Sequence, residues 1–301
     1  MRIAVAATPE VAIPTLNALL ASEHEIVSVI TRADAPAGRG RELQASPVAQ
    51  WAQAQNLRIH KPESAPLISE LVKDVDLVIT IGYGFIIPSS ILQIPHHGFI
   101  NLHFSLLPRW RGAAPVQRAI ESGDSVTGVT VFKLDKGMDT GPIYLSEQIA
   151  LSPDMNSGEL FITLADLGVN SVLQTLDLIS AGAAPKVQSE VGVTRAEKLS
   201  KEEGHIDWSF QARTIQCKVN AFNPNPGAWS QFRGQNLKIN RVRMTDKRLA
   251  RGAIESTNKS VFVGTSTVAI ELLEVTPAGK STLTASAWAN GARITSTDLL
   301  N

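Results

Sequence analysis

Three polar residues in the middle of the chain have the types and spacing that acid–base chemistry requires. Asn101 and His103 lie two positions apart on a predicted strand, residues 99–103, so their side chains point to the same face. Asp139 lies in a glycine-bounded loop, residues 135–141, after the next predicted strand. An amide can donate to a developing oxyanion, and an imidazole beside a carboxylate can move a proton. We therefore treat these three residues as a candidate catalytic group.

Each of the three also has an ordinary structural explanation. An asparagine at a strand end and an aspartate in such a loop are often turn formers, and a lone histidine is often a satisfied core or surface group. The spacing alone does not choose between these alternatives. Cys217 is the only cysteine, so the sequence excludes an internal disulfide and a cluster of thiolate metal ligands. We expect a polar turn at His96-His97 and no metal site.

The elements that must position these residues follow an alternating order. Short apolar runs at residues 2–7, 25–31, 76–81, 99–103 and 127–134 predict strands, and residues 10–20 and 115–122 predict helices. Strands separated by helices indicate right-handed βαβ units. We expect an α/β fold with a Rossmann-like, mostly parallel sheet and flanking helices. In such sheets the ligand crevice lies at the carboxyl ends of the strands, where Asn101 and His103 are placed.

The second half of the chain has a different pattern. Residues 156–179 predict a long helix, with Asn156 and Glu159 forming a capping box at its start. A stretch rich in Ala, Gly, Ser, Lys and Glu follows and predicts a linker, and short strands from residue 228 onward predict a small OB-like β-barrel. The predicted organisation is a catalytic domain over residues 1–185, a linker over 186–205 and a barrel domain over 206–301.

Composition narrows the class of protein. The 301 residues are 44% hydrophobic and 19% charged, which is ordinary for a globular protein. We find no secretory signal and no apolar stretch of about 20 residues, so we expect a cytoplasmic protein without a membrane partner. Residues 1–189 carry a net charge of −5 and residues 190–301 a net charge of +5. The basic half favours an anionic partner, although such a modest charge is also typical of a solvated surface.

The order of the polar motifs resembles a known family. Asn-x-His at residues 101–103, Ser-Leu-Leu-Pro at 105–108 and Asp-x-Gly-x-Asp-Thr-Gly at 135–141 resemble the formyltransferases that use 10-formyltetrahydrofolate. The resemblance implies that Asn101, His103 and Asp139 are the catalytic trio. It also implies that the folate pocket is lined by Ser105, Leu106, Leu107, Pro108, Tyr83, Gly84, Phe85 and Ile86.

Other stretches resemble the branch of this family that acts on methionyl-tRNA. They lie at residues 35–43, 109–117, 198–208, 221–228 and 277–280, in the family's order and over nearly the whole chain. This implies formyl transfer to the methionyl amine of initiator tRNA, for translation initiation, by an enzyme that we expect to be a monomer. The residues expected to contact tRNA are Arg39, Gly40, Arg41, Lys198, Lys238, Arg241 and Arg243. The chain departs from the family pattern at Ala7, Val11 and Asn225.

Three alternatives remain open at this stage. The acceptor of the formyl group could be a sugar or ribonucleotide amine, or it could be water, which would release formate. The fold could also belong to an RNA-binding protein without catalysis, but that alternative would require a damaged trio, and here all three positions are intact. The long linker, the basic barrel and the loop around Arg39 favour the tRNA acceptor.

Overall fold

The computed structural model describes residues 1–37 and 42–301, and these residues form two compact units. The first unit contains Met1–Gly112, Thr127–Ile149 and Phe161–Arg195, and the second contains Ala113–Val126, Ala150–Leu160 and Ala196–Asn301. Two short segments from the first half of the chain therefore group with the C-terminal residues. The domain boundaries expected from the sequence, after residues 185 and 205, stay predictions.

The elements before residue 181 alternate as the sequence indicates. In chain order they are β1 (Arg2–Ala7), α1 (Ile13–Leu20), β2 (Glu25–Ile30), β3 (Ala35–Ala37), β4 (Glu42–Gln44), α2 (Pro47–Ala54), β5 (Ile59–His60), α3 (Ile68–Leu71), β6 (Leu77–Ile81), α4 (Ser89–Leu92), β7 (Phe99–His103), β8 (Arg111–Gly112), α5 (Pro115–Glu121), β9 (Val126–Lys133), β10 (Ile143–Ala150) and α6 (Ser157–Ser180). Short 3-10 helices, Glu10–Ala12 and Ala65–Leu67, precede α1 and α3.

The core of the first unit is a seven-stranded sheet in the order β10-β9-β7-β6-β1-β2-β5. The neighbouring pairs β6–β7, β1–β6, β1–β2 and β2–β5 are parallel, which confirms the predicted mostly parallel sheet. All five residues of β6 are buried, as a continuous apolar run predicts for a strand that is covered on both faces. The pair β7–β9 is antiparallel, with His103 opposite Thr130.

Helix α6 begins with the predicted capping box. Asn156 Oδ1 accepts the Glu159 N–H at 3.0 Å, and Glu159 Oε2 accepts the Asn156 N–H at 2.9 Å. Among the described residues, α6 is the one helix that is long and apolar enough to cross a membrane, and the sequence analysis did not identify it as such. Leu164, Val172 and Leu176 are fully buried. Packing in the protein core therefore accounts for its apolar composition.

The later elements contain both predicted strands and helices that the sequence analysis missed. They are β11 (Arg195–Ala196), α7 (Ala212–Phe222), β12 (Ala228–Phe232), β13 (Gln235–Met244), β14 (Ile254–Ser256), β15 (Val261–Val263), β16 (Ile270–Pro277), β17 (Leu283–Thr284) and α8 (Ala285–Ala292). Helices α7 and α8 were not predicted, since the analysis of this region relied on the spacing of its strands.

An antiparallel sheet in the order β12-β13-β16-β15-β14 forms the core of the second unit. Its two edges are bridged by the last residues of the chain. Leu300 pairs with Phe232 of β12, and Leu299 pairs with Ala253, which lies just before β14. The sheet is thereby curled, in agreement with the predicted barrel-like domain.

Candidate active site

Strand β7 presents two of the predicted catalytic residues on one face of the sheet. Asn101 lies opposite Thr80 of β6 and Phe132 of β9, and His103 lies opposite Thr130 of β9. Asn101 is half-buried, whereas His103 is buried. Both residues lie towards the carboxyl end of β7, at the edge where the predicted ligand crevice belongs.

The amide of Asn101 is oriented by its neighbour on β6. The Thr80 hydroxyl lies 2.8 Å from Asn101 Oδ1 and 3.0 Å from the Ile100 carbonyl oxygen, and it has one proton for these two acceptors. With the amide oxygen towards Thr80, the NH₂ group is the other end of the side chain, and it makes no hydrogen bond within the described residues. Asn101 is therefore able to donate to the oxygen of a bound ligand.

The two nitrogens of His103 face different groups. Nε2 lies 2.9 Å from the carbonyl oxygen of Trp110. A carbonyl oxygen can only accept, so the Nε2 nitrogen must carry a proton. Nδ1 lies 3.7 Å from Asp139 Oδ2, which is longer than a direct hydrogen bond. His103 is thus held through one nitrogen and presents the other towards the carboxylate.

Asp139 reaches His103 through the loop that follows β9, the neighbour of β7 in the sheet. Because β9 is antiparallel to β7, its last residue, Lys133, lies opposite Ile100. The loop that follows leaves the sheet and returns to the same place, where the Lys133 N–H donates to the Pro142 carbonyl at 2.8 Å. Asp139 is carried to His103 within this loop.

The conformation of Asp139 is held by its own carboxylate. Its φ of 56° lies in the left-handed region, which aspartate adopts more readily than most residues. Asp139 Oδ2 accepts the Gly112 N–H at 2.7 Å. One carboxylate oxygen therefore anchors the loop to residue 112 and faces the imidazole of His103.

The Ser-Leu-Leu-Pro segment follows β7 and is supported from β9. The Thr130 hydroxyl, which is fully buried, donates to the Ser105 carbonyl at 2.7 Å and accepts the Leu107 N–H at 3.1 Å. The side chains of Ser105 and Leu107 are buried, and those of Leu106 and Pro108 are half-buried. Ser105 Oγ donates to the Arg109 carbonyl at 2.7 Å. Ser105 and Leu107 therefore hold the loop, and Leu106 and Pro108 are its more accessible members.

The predicted folate loop after β6 is divided between core and surface. Tyr83 is packed in a hydrophobic cluster, and its buried hydroxyl has no hydrogen-bond partner among the described residues. Burial raises the pKa of Tyr83 to about 12. Gly84 has a φ of +84°, Phe85 lies under the guanidinium of Arg32, and Ile86 is 76% exposed. Tyr83 therefore packs in the core, and its predicted place in the folate pocket stays a prediction.

A cavity of about 650 Å³ lies at the amino-terminal end of β7, away from the end that carries His103. Its walls come from α4, which follows the loop at residues 83–88, and from the start of the loop that carries Asp139. The lining residues are Ser89, Leu92, Gln93, Pro95, His96, Gly98, Lys133, Leu134, Asp135 and Lys136. None of the predicted folate-lining residues belongs to this set. His96 and His97 lie in a turn before β7, and no cluster of metal ligands occurs among the described residues.

Part of the predicted linker runs along the site. Ile143 and Lys186 exchange backbone hydrogen bonds at 2.7 Å, and the Thr194 hydroxyl accepts the Trp110 N–H at 2.8 Å. Between them, Gln188 is buried and donates to the carbonyl of Asp139. The sequence analysis missed Gln188 and Thr194, since a single polar residue in a linker carries no periodic or motif signal.

The residues predicted to contact tRNA are not gathered at one point. Arg39, Gly40 and Arg41 lie outside the described residues. Lys198 is exposed, and the other three lie on β13. Lys238 and Arg241 are three positions apart yet both exposed, because β13 has register shifts between Ile239 and Val242.

Two of the basic residues on β13 lie beside acidic groups. Arg243 forms an ion pair with the nearly buried Glu271 at 2.5 Å. Arg241 lies opposite Glu274 on β16. The positive charge of this strand is therefore partly neutralised within the protein.

Comparison with known proteins agrees with this arrangement. The formyl transferase family model matches residues 1–176, and the model for the formyl transferase C-terminal domain matches residues 198–293. The methionyl-tRNA formyltransferase of Streptomyces avermitilis is 43% identical over 98% of this chain and 98% of its own.

Solved structures share the fold. HypX from Aquifex aeolicus in complex with tetrahydrofolic acid has a TM-score of 0.69 at 19% identity, over 96% of this chain and 47% of its own. The methionyl-tRNA formyltransferase from Clostridium thermocellum has a TM-score of 0.59 at 20% identity, over 83% of this chain and 96% of its own. By sequence, the chain belongs to the formyl transferase family and, within it, to the methionyl-tRNA formyltransferases.

Proposed function

We propose that this chain transfers the formyl group of 10-formyltetrahydrofolate to the α-amine of methionyl initiator tRNA, for translation initiation. The 43% identity with a methionyl-tRNA formyltransferase, over 98% of this chain, supports the acceptor. The observation that carries the reaction is the convergence of an amide NH₂, an imidazole nitrogen and a carboxylate around the carboxyl end of β7.

The amide and the imidazole are suited to binding a developing oxyanion. When the methionyl amine attacks the formyl carbon, the formyl oxygen gains negative charge. Asn101 donates to it through its NH₂ group, and His103 donates through Nδ1 when that nitrogen is protonated. Placed donors of this kind typically contribute about 10²- to 10³-fold in rate each. The Trp110 carbonyl, which accepts from Nε2, keeps the imidazole in the required orientation.

The carboxylate of Asp139 is suited to moving the proton. One bond forms between the amine nitrogen and the formyl carbon, and the bond from that carbon to N10 of the folate breaks. The amine loses one proton, and N10 gains one. Asp139 accepts the amine proton, directly or through water, and returns it to N10. The same carboxylate lies 3.7 Å from His103 Nδ1 and stabilises a positive imidazole.

We assign the folate to the space between the loop at residues 83–88 and the loop that carries Asp139. This space lies at the carboxyl end of β6 and beside Asp139, whereas the cavity of about 650 Å³ is lined by residues that precede β7, such as Pro95, His96 and Gly98, and is not assigned to the folate. The folate-lining role of Ser105 to Pro108 and of Tyr83 to Ile86 stays a prediction. The buried side chains among them would support the pocket from behind.

The tRNA would be held by basic residues, of which Lys238 and Arg241 on the exposed side of β13 are the best placed. Lys198 and the residues at 39–41 stay predicted contacts. We further propose that the enzyme acts in the cytoplasm, since its substrates require no membrane. We also propose that it is a monomer.

The decisive experiment is formyl transfer from 10-formyltetrahydrofolate to methionyl-tRNA, with uncharged tRNA as the negative control. We expect transfer by the wild type and a loss of at least about 100-fold in kcat for His103→Ala and Asn101→Ala. His24→Ala is the matched control, because His24 contacts the amino terminus and lies outside the site.

Three other results would contradict the proposal. Free formate without formylated tRNA would indicate hydrolysis. Transfer to a sugar or ribonucleotide amine in preference to methionyl-tRNA would assign the chain to the alternative acceptor class. Unchanged activity of His103→Ala, with a normal melting temperature, would remove the trio from the mechanism.

A further inference from the structure

The side-chain amide of Gln188 is buried at the centre of a hydrogen-bond network beside the candidate active site. Gln188 is 6% exposed. Its Nε2 lies 2.9 Å from the Asp139 carbonyl oxygen and 2.7 Å from that of Gly141. Its Oε1 lies 3.1 Å from Arg111 Nε and 2.7 Å from one Arg111 terminal nitrogen. The two amide protons and the amide oxygen are all used.

The chemistry of its neighbours allows one orientation of this amide. Carbonyl oxygens accept hydrogen bonds and a guanidinium only donates them, so the NH₂ group must face residues 139 and 141 and the oxygen must face Arg111. The reversed amide would place an oxygen against two carbonyls and an NH₂ against a cation. The network therefore holds Gln188 in a single arrangement, and Gln188 in turn holds its partners.

Those partners are the two segments that orient the dyad of His103 and Asp139. On one side Gln188 binds the backbone of Asp139 itself. On the other side it binds Arg111, whose neighbours in the chain each contact one member of the dyad: the Trp110 carbonyl accepts His103 Nε2–H, and the Gly112 N–H donates to Asp139 Oδ2. A displacement of Gln188 would therefore change the relation between the imidazole and the carboxylate.

We infer that Gln188, from a segment expected to be a plain linker, is a positioning residue for formyl transfer and acts through Asp139. This inference rests on the proposed function, in which Asp139 moves the proton. Gln188 touches no reacting atom in this assignment. Its contribution is to keep the carboxylate within reach of the amine and of His103 Nδ1, where a misplacement of about 1 Å can cost about 100-fold in rate.

Two substitutions separate the contacts of Gln188. Gln188→Met removes all four hydrogen bonds, and Gln188→Glu keeps an acceptor for Arg111 but removes both donors to residues 139 and 141. We expect both variants to lower kcat by about 10- to 100-fold, with the KM for methionyl-tRNA within about twofold of the wild type. Wild-type activity of Gln188→Glu would overturn the inference, because it would assign the contribution to the Arg111 contact.

A second background tests whether the effect passes through Asp139. Residues that act as a unit are non-additive, so Gln188→Met should change kcat by less than about twofold when Asp139→Asn has already disabled the carboxylate. An equal loss in both backgrounds would mean that Gln188 contributes only general stability. Gln216→Met is the matched control, because Gln216 is equally buried but bonds to Asp154. We expect its kcat to match that of the wild type.

A spectroscopic measurement keeps the inference separate from the proposed function. The nuclear magnetic resonance signals of the His103 ring, assigned by comparison with His103→Gln, should shift in Gln188→Met. They should keep their positions in Gln216→Met. If the wild type formylates no methionyl-tRNA, the proposed function fails, but this shift still reports whether Gln188 positions the dyad. Unmoved His103 resonances in Gln188→Met would refute the positioning role.

Discussion

At the scale of single residues, Asp139 combines a structural and an electrostatic task in one carboxylate. Its Oδ2 anchors the loop to the Gly112 N–H and faces His103 Nδ1. Its backbone is in the left-handed region, where Asp and Asn are tolerated and alanine is strained. Substitutions at this position can therefore remove the charge without removing the anchor.

We predict that Asp139→Asn and Asp139→Ala differ in stability although both lose most of the activity. The asparagine oxygen can still accept the Gly112 N–H, so the free energy of unfolding should change by less than about 0.5 kcal/mol while kcat falls by about 100-fold or more. Asp139→Ala should lose a further 1 to 3 kcal/mol, roughly, because that N–H loses its acceptor. Urea unfolding and single-turnover kinetics measure both effects. Equal destabilisation of the two variants would show that the anchor does not depend on the oxygen.

At the scale of elements, the antiparallel direction of β9 determines how this strand supports the site. Because it is antiparallel to β7, Thr130 lies beside His103 and its hydroxyl can reach the loop that follows β7. The loop that carries Asp139 begins at the other end of β9, after Lys133. One strand thus supports both the Ser-Leu-Leu-Pro segment and the aspartate loop.

We predict that Thr130→Val loosens the Ser-Leu-Leu-Pro segment. The substitution leaves the Ser105 carbonyl and the Leu107 N–H without the Thr130 hydroxyl, which should cost about 2 kcal/mol of unfolding free energy. The KM for 10-formyltetrahydrofolate should rise more than the KM for tRNA. Thr127→Val, at a buried position on the same strand, is the control and should cost less. A KM change confined to tRNA would contradict this assignment of the segment.

At the scale of the whole molecule, charge is unevenly distributed along the chain but partly neutralised within it. The region after residue 189 has a net charge of +5. Three of its basic residues form ion pairs within it, namely Arg233, Arg243 and Lys247. Its Glu203 pairs with Arg118, which lies earlier in the chain. Arg241 makes no ion pair among the described residues. The basic residues that remain unpaired are the ones available for an anionic partner.

We predict that tRNA binding weakens steeply with salt and that Arg241 contributes to the slope. Neutralising a phosphate releases counterions, so Arg241→Gln should reduce the slope of log Kd against log salt by about 1. Lys73→Gln, at an exposed lysine paired with Glu70, should leave the slope unchanged. Arg243→Gln is unsuitable for this test, since it leaves the nearly buried Glu271 without its cation. A flat salt dependence of the wild type would count against the tRNA interface.

We also predict that stability falls on mild acidification. Burial lowers the pKa of His24, His60 and His97 below the ordinary value of 6.5. Below pH 6.5 the unfolded chain therefore binds more protons than the folded protein, and the unfolding free energy decreases as the pH falls. The lowered pKa of Glu203, caused mainly by the Ser200 N–H, acts only below about pH 4.5.

The urea midpoint measured between pH 7.5 and 5.5 isolates the histidines. It should decrease over this range in the wild type and change less in a variant with His24, His60 and His97 replaced by glutamine. A midpoint that is constant or rises with acidification would show that burial of these rings is not coupled to folding.

Much of the architecture was determined by the sequence itself, because the signals involved are local. The two-residue period of β7 places Asn101 and His103 on one face, and the capping box of α6 joins residues only three positions apart. The order of apolar runs indicates the mostly parallel sheet, and the motif order indicates the family. Each of these inferences depends on neighbours within a few residues or on a match of motifs.

The tertiary structure decided which distant residues meet. Gln188 contacts Asp139 from 49 positions away, and Trp110 contacts Thr194 from 84 positions away. The antiparallel direction of β9, the return of the Asp139 loop and the burial of Tyr83 also depend on packing between distant segments. No local pattern encodes such contacts, because they are selected by the burial and hydrogen-bond satisfaction of the whole fold. The identities of the catalytic candidates were therefore readable in the sequence, whereas the means by which they are held together were not.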